Sequence, residues 1–117
     1  MDVIDRYLAV WNTADADDRL SAVQELFTDD ATYTDPLADV AGRPGIAAVV
    51  GGAREMFPGQ VFRPYGAADA HHDLVRFGWA LTPVEGDEPT VIGFDVAVLT
   101  PDGRIRAVHG FLDKAPG

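Results

Sequence analysis

The first half of the chain carries apolar residues at the i, i+3, i+4, i+7 spacing of amphipathic helices. This spacing predicts three helices, near residues 2–13, from Asp17 to about Asp30, and from Pro44 to about Phe57. Acidic residues suit the N-terminal end of the second helix, and a proline suits the first turn of the third. The apolar stripes are Val3, Ile4, Tyr7, Leu8 and Trp11; Leu20, Val23, Leu26 and Phe27; and Ile46, Val49, Val50, Ala53, Met56 and Phe57.

The second half of the chain changes to the alternating pattern of strands. We predict a brief strand at 31–34 and longer strands near 60–70, 73–83, 90–100 and 104–113. Turns are expected at 71–73, 85–89 and 101–103, where Gly103 is free to adopt a positive φ. Helices followed by meandering strands indicate an α+β fold with an antiparallel sheet, and residues 1–117 are expected to form a single domain.

The strand at 91–99 carries the most informative charge in the sequence. Asp95 is its only charged residue, and small Gly93 and Ala97 lie beside it on the same face, which suggests a cavity above the sheet. The opposite face carries Ile92, Phe94, Val96 and Val98. A buried carboxylate must find a partner or stay protonated with a raised pKa. From this strand alone, a structural aspartate bonded to the backbone or to an arginine is the simpler interpretation.

Three more residues have two interpretations when taken one at a time. Asp35 follows a short strand and precedes Pro36, a pattern typical of a turn. Tyr7 lies on the apolar face of the first helix, where a tyrosine usually belongs to the core and bonds a backbone carbonyl. His109, on the last strand, is expected to face away from Val108, toward an interface between subunits. A register shifted by one residue would make His109 a second acid–base candidate.

Composition excludes several classes of function. The 117 residues are 47% hydrophobic and carry a net charge of −10, with Lys114 as the only lysine. Neither nucleic acid nor a membrane is therefore an expected partner. The chain has no cysteine, and no metal geometry is evident around His71 and His72, so we expect neither a metal nor a cofactor. No apolar run approaches the roughly 20 residues that span a bilayer. The acidic N-terminal helix is unlike a signal peptide, which favours a cytoplasmic protein.

Several segments together resemble bacterial ketosteroid isomerase. They are Arg6-Tyr7-Leu8, Asp29-Asp30-Ala31-Thr32 running into Asp35-Pro36, Asp95-Val96, and Asp102-Gly103-Arg104-Ile105. The scaffold of that isomerase is a cone-shaped α+β roll, in which three helices wrap a curved antiparallel sheet. Nuclear transport factor 2 (NTF2), SnoaL-like polyketide cyclases, scytalone dehydratase and limonene epoxide hydrolase share this scaffold. The Asp-Asp-Ala-Thr and Asp-Gly-Arg-Ile segments recur widely in this NTF2-like superfamily, so they indicate the fold more than the reaction.

The resemblance implies roles for three residues of the candidate site. Asp35 falls at the position of the general base, while Tyr7 and Asp95 fall at the two oxyanion-hole donors, of which the aspartic acid is protonated. No second tyrosine is evident beside Tyr7, and the loop between the first two helices is about four residues longer than in the isomerase. These differences bear on the substrate more than on the proton chemistry.

The resemblance also indicates which side chains surround a substrate. It places the strand face with Phe77 and Trp79 toward the pocket, and Leu112 where the isomerase has a pocket tryptophan. Trp11 and Phe57 are candidates for the upper wall of the pocket. Core packing remains an open interpretation of these four aromatic residues.

Two functions follow as hypotheses. The first is a cofactor-independent isomerase or cyclase that removes a proton next to a carbonyl of a small apolar substrate; isomerisation, cyclisation and dehydration all remain open. The second is a non-catalytic binding or accessory protein, in which Tyr7 and Asp95 bond each other and seal the pocket floor. The two differ in whether Asp35 and Asp95 open into one cavity. In either case the bulky face of the 91–99 strand needs cover, which predicts a homodimer.

Overall fold

The computed structural model describes residues 2–116, which form three helices and seven strands. The helices are α1 (Asp2–Trp11), α2 (Ala16–Leu26) and α3 (Arg43–Met56). The strands are β1 (Phe27–Thr34), β2 (Asp39–Ala41), β3 (Gln60–Pro64), β4 (Asp69–His71), β5 (Leu74–Pro83), β6 (Val91–Leu99) and β7 (Ile105–Lys114). No helix among these residues is long and apolar enough to cross a membrane.

All seven strands belong to one curved, open sheet. Its order is β2-β1-β7-β6-β5-β3, and β4 pairs with the beginning of β5. The predicted α+β class is confirmed, but the sheet is mixed rather than wholly antiparallel, because β1 runs parallel to β7. Parallel neighbours need a long crossover connection, and here the rest of the chain between β1 and β7 supplies it.

The second helix is shorter than its apolar stripe predicted. It ends at Leu26, and Phe27 already has extended dihedral angles of φ −100° and ψ 148°. The Phe27 carbonyl accepts hydrogen bonds from the guanidinium groups of Arg43 and Arg104, so it needs no further helical turn. Phe27 still enters the core as the first residue of β1, whereas Leu20 lies at the exposed edge of the stripe.

The predicted strand at 60–70 is interrupted. It divides into β3 and β4 around Gly66, whose φ of 77° breaks the extended backbone. The short β2 was not predicted, because three residues with one half-buried side chain carry no usable alternation.

The two faces of the sheet differ in burial, as the alternation of residues 91–99 predicted. The inner face packs against the helices, and there Val91, Asp95 and Ala97 are buried. The outer face, defined here by Ile92, Phe94, Val96, Val98, His109 and Phe111, is only partly covered. The rings of Phe94 and Phe111 stack on it with centroids 5.1 Å apart.

Candidate functional site

A cavity of about 430 Å³ lies between the helices and the inner face of the sheet. Apart from two tryptophan indoles, the polar side chains in its lining are Tyr7, Tyr33, Asp35 and Asp95. No arginine, lysine or histidine lines it among the described residues. The volume is within the range of small-molecule sites. The site is therefore an apolar chamber in which four oxygen-bearing side chains supply the chemistry.

Asp95 lies on the inner face at the centre of β6 and is 3% exposed. Its Oδ2 accepts a hydrogen bond of 2.8 Å from the Tyr7 hydroxyl, so its partner is neither an arginine nor the backbone. Burial raises the pKa of Asp95 from 3.8 to about 6. The Tyr7 hydrogen bond and the nearby Trp79 indole oppose this rise in pKa, and the charge of Asp35 adds to it. Asp95 can therefore exchange a proton close to neutral pH.

Tyr7 is held on the buried face of α1 by a cluster of aromatic rings. Its ring meets the ring of Phe77 edge-on at 5.3 Å, and those of Trp11 and Phe27 lie 6.1 and 6.3 Å away. Burial, followed by the charge of Asp95, raises the pKa of Tyr7 well above its usual value. The Tyr7 hydroxyl is consequently a fixed, neutral hydrogen-bond donor.

Asp35 directly follows β1 and is half-buried. Its Oδ1 accepts backbone N–H bonds from Leu37 and Ala38, both at 2.8 Å. Its Oδ2 accepts a 2.6 Å bond from the Tyr33 hydroxyl. The turn interpretation of Asp35 is therefore confirmed, and the same carboxylate also lines the cavity.

Tyr33 was not singled out in the sequence as a site residue. It is 3% exposed, lines the cavity, and gives the site a second tyrosine–aspartate pair besides Tyr7 with Asp95. Burial and the charge of Asp95 raise the pKa of Tyr33, which keeps its phenol protonated. Strand alternation could have found it, since Ala31 and Tyr33 occupy the inward positions leading to Asp35.

Gly110 is the second residue that the sequence did not single out. It pairs with Asp95 across β6 and β7, and its neighbour His109 pairs with Thr34 of β1. A Cβ atom on Gly110 would lie 2.7 Å from Asp95 Oδ1 and 3.3 Å from Asp35 Cβ. Gly110 thus leaves free the space between the Asp95 carboxyl group and the side chain of Asp35.

Other predicted substrate-facing residues divide into two groups. Those in the cavity lining are Trp11, Phe57, Trp79 and Leu112. Phe77 is 3% exposed and lies behind the floor, against Tyr7, rather than in the lining. The space at Gly93 is not open, because a Cβ there would lie 2.6 Å from Trp79 Cζ2. The indole fills the place that Gly93 was expected to leave empty.

His109 is exposed on the outer face, so β7 has the register that turns it away from the cavity. His71 and His72 lie around the tip of the β4–β5 hairpin. Within residues 2–116 no group of three or more histidine, aspartate or glutamate side chains is arranged to hold a metal ion.

The chain belongs to the SnoaL-like domain family, which matches residues 4–108. It is similar to the structure of a candidate isomerase of the SnoaL-like family from Agrobacterium tumefaciens strain C58, with 39% identity and a TM-score of 0.89 over 96% of this chain and 95% of the other. More distant in sequence is a candidate polyketide cyclase from Sinorhizobium meliloti, with 21% identity and a TM-score of 0.72 over 94% of each chain.

An NTF2-like protein of unknown function from Exiguobacterium has 20% identity and a TM-score of 0.73, over 95% of this chain and 98% of the other. The NTF2-like fold expected from the sequence is therefore confirmed. A comparison with curated proteins gives no match.

Proposed function

We propose that this protein is a cofactor-independent enzyme of the isomerase or cyclase type, which removes a proton next to a carbonyl of a small apolar substrate. The observation that carries this proposal is that Asp35 and Asp95 both line one cavity of about 430 Å³, with space for a substrate beside them. A structural role for either carboxyl would not require that shared space. The names of two similar structures, a candidate isomerase of the SnoaL-like family and a candidate polyketide cyclase, agree with this class of reaction.

In the proposed reaction, a carboxylate oxygen of Asp35 takes the proton from the carbon next to the substrate carbonyl. The electron pair of the broken C–H bond moves into the carbonyl group and forms an enolate. The enolate oxygen accepts hydrogen bonds from the Tyr7 hydroxyl and from protonated Asp95. An isomerase then returns the proton to another carbon, whereas in a cyclase the enolate carbon attacks a second carbonyl. A positioned base contributes roughly 100-fold in rate, and each oxyanion donor contributes on the order of 3 kcal/mol.

The hydrogen-bond donors must change partners when a substrate binds. Tyr7 now donates to Asp95, and a substrate oxygen would accept that bond instead. An apolar ring that fills the cavity excludes water and further favours the neutral form of Asp95. Binding of the carbonyl and proton uptake by Asp95 thus support each other.

The deciding experiment compares Asp35→Asn with the wild type and with Asp39→Asn, a matched control at an exposed residue of β2. Turnover is measured with enolisable ketones of one to three rings, and binding with a planar phenol, which imitates an enolate. Trp11 and Trp79 line the cavity, so quenching of their fluorescence reports binding. Asp35→Asn should abolish turnover and retain phenol binding, whereas Asp39→Asn should retain both. Normal turnover by Asp35→Asn would refute the proposed mechanism.

A second candidate function is ligand binding without catalysis. The 2.8 Å bond between Tyr7 and Asp95 favours it, because the two proposed donors already satisfy each other. In this case a planar phenol would bind with the same affinity to the wild type, Tyr7→Phe and Asp95→Asn. If the protein is the proposed enzyme, both substitutions should weaken binding about tenfold, equivalent to about 1.4 kcal/mol.

We further propose that the protein is a homodimer that forms through the outer face. Phe111 is 53% exposed and stacks on Phe94, while Ile92, Val96 and Val98 are only half-buried beside them. An apolar face of this kind favours association with a second sheet. A twofold interface would also cover His109.

A further inference from the structure

Gly110 occupies the middle of a row of residues that crosses three strands. Asp95 of β6 is its partner on one side. On the other side, β1 pairs Thr34 with His109, so the next residue, Asp35, lies next to Gly110. The row therefore places the two aspartates on either side of Gly110, although β6 and β1 are not themselves neighbours.

The spacing in this row leaves no room for a side chain at position 110. A Cβ there would lie 2.7 Å from Asp95 Oδ1, closer than non-bonded carbon and oxygen atoms can approach, and 3.3 Å from Asp35 Cβ. Asp95 cannot move aside freely, because its other oxygen accepts the Tyr7 hydrogen bond. Gly110 is also buried, so solvent cannot take up the displaced group.

We propose that Gly110 is a positioning residue: its missing side chain lets Asp35 and Asp95 approach across β7 so closely that the charge of Asp35 adds to the effect of burial on proton binding by Asp95. The consequence for catalysis rests on the proposed function. An ionised Asp35, ready to act as a base, would help to keep Asp95 protonated and ready to donate. One glycine would then couple the base to the oxyanion hole.

No other charged group of the cavity competes with Asp35 for this effect. The titratable groups that face Asp95 are Tyr7 from α1 and Tyr33 from β1, both of which stay neutral. The part of α3 that lines the cavity is apolar, and β5 contributes an indole and a leucine there. Arg76 of β5 and His109 of β7 are exposed on the opposite face. Asp35 is thus the one charged neighbour of Asp95 in the described lining.

The test is a pH titration of aspartate carboxyl carbons by NMR in four proteins: the wild type, Asp35→Asn, Gly110→Ala and the double variant. The Asp95 resonance is the one that Asp95→Asn removes. In the wild type its midpoint should lie near pH 6, and Asp35→Asn should lower that midpoint by about half a pH unit or more. In the Gly110→Ala background, Asp35→Asn should lower the Asp95 midpoint by less than half as much, because the added methyl group separates the two carboxyl groups.

Gly52→Ala is the matched control. A Cβ at Gly52 of α3 meets no atom within 4 Å, so the Asp95 midpoint and its response to Asp35→Asn should stay as in the wild type. The proposal is overturned if Asp35→Asn leaves the Asp95 midpoint unchanged, or changes it equally with glycine and alanine at position 110.

A failure of Gly110→Ala to fold would also be informative. The double variant Gly110→Ala/Asp95→Ala should then recover the folded state, because removal of the Asp95 carboxyl makes room for the methyl group. Lack of recovery would overturn the proposed contact. None of these measurements uses turnover, so the coupling and the proposed enzymatic function can fail independently.

Discussion

The buried carboxyl of Asp95 predicts a specific dependence of stability on pH. Its pKa is about 6 in the folded protein, against 3.8 for the ordinary group. Between these values the folded state binds more protons than the unfolded state, so the free energy of unfolding falls as the pH rises. The shift is about two pH units at about 1.36 kcal/mol each, so ionised Asp95 costs about 3 kcal/mol above pH 6.

Asp95→Asn isolates this cost, because asparagine has almost the same shape and does not ionise. Its amide oxygen can still accept the hydrogen bond of Tyr7. The free energy of unfolding of the variant, minus that of the wild type, should therefore increase by about 3 kcal/mol between pH 3.5 and pH 7.5. Contributions of the other acidic residues largely cancel in this difference.

Urea unfolding at half-unit pH intervals measures the difference, with the fluorescence of Trp11 and Trp79 as the signal. Asp87→Asn, at an exposed position, serves as the control. If the Asp95→Asn difference were constant within about 0.5 kcal/mol over this range, Asp95 would not have a raised pKa. The argument that burial controls its protonation would then be wrong.

Three further predictions concern the surroundings of the site. Tyr7→Phe removes the hydrogen bond that lowers the pKa of Asp95, so the midpoint of the Asp95 titration by NMR should rise above pH 6. A lower midpoint for Asp95 would contradict this. Gly93→Ala places a Cβ 2.5 Å from the Phe111 carbonyl oxygen, so the free energy of unfolding measured in urea should fall by about 1–3 kcal/mol. An unchanged urea midpoint would exclude this clash. Phe111→Glu should convert a dimer of 12.5 kDa chains into monomers in sedimentation velocity; a wild type that is already monomeric would refute the homodimer.

Periodicity predicted the parts of the fold that depend on one face being buried. The strand 91–99 alternates in the structure as it does in the sequence, because the helices cover only one face of the sheet. The end of α2 was placed too late, because the apolar stripe continues through Phe27 although the backbone becomes extended there. The Phe27 side chain would be buried in a helix or in a strand, so the apolar stripe does not distinguish the two. In the structure the Phe27 carbonyl accepts hydrogen bonds from two arginines of distant segments instead of continuing the helix.

The candidate site was only partly predictable for a different reason. Local patterns indicated Tyr7, Asp35 and Asp95 one at a time, the resemblance assigned them to one site, and they lie together in the cavity. Tyr33 and Gly110 matter through contacts that depend on strand register, which the sequence does not reveal. The catalytic roles, the homodimer and the cytoplasmic location stay predictions.

The carbonyl of Phe27 shows what the arginine of the Asp-Gly-Arg-Ile segment does in this structure. It accepts hydrogen bonds from Arg43 at the start of α3 and from Arg104 just before β7. These bonds join three segments that are distant in the sequence. This junction lies toward the other end of β1 from Asp35, roughly 16 Å away, because Phe27 pairs with Ile105 and Asp35 lies beside Gly110, five residues further along β7 at about 3.3 Å per residue. Neither arginine lines the cavity, so the groups that join these segments are separate from the four oxygen-bearing side chains of the site. Substitutions of those side chains can therefore leave this junction intact.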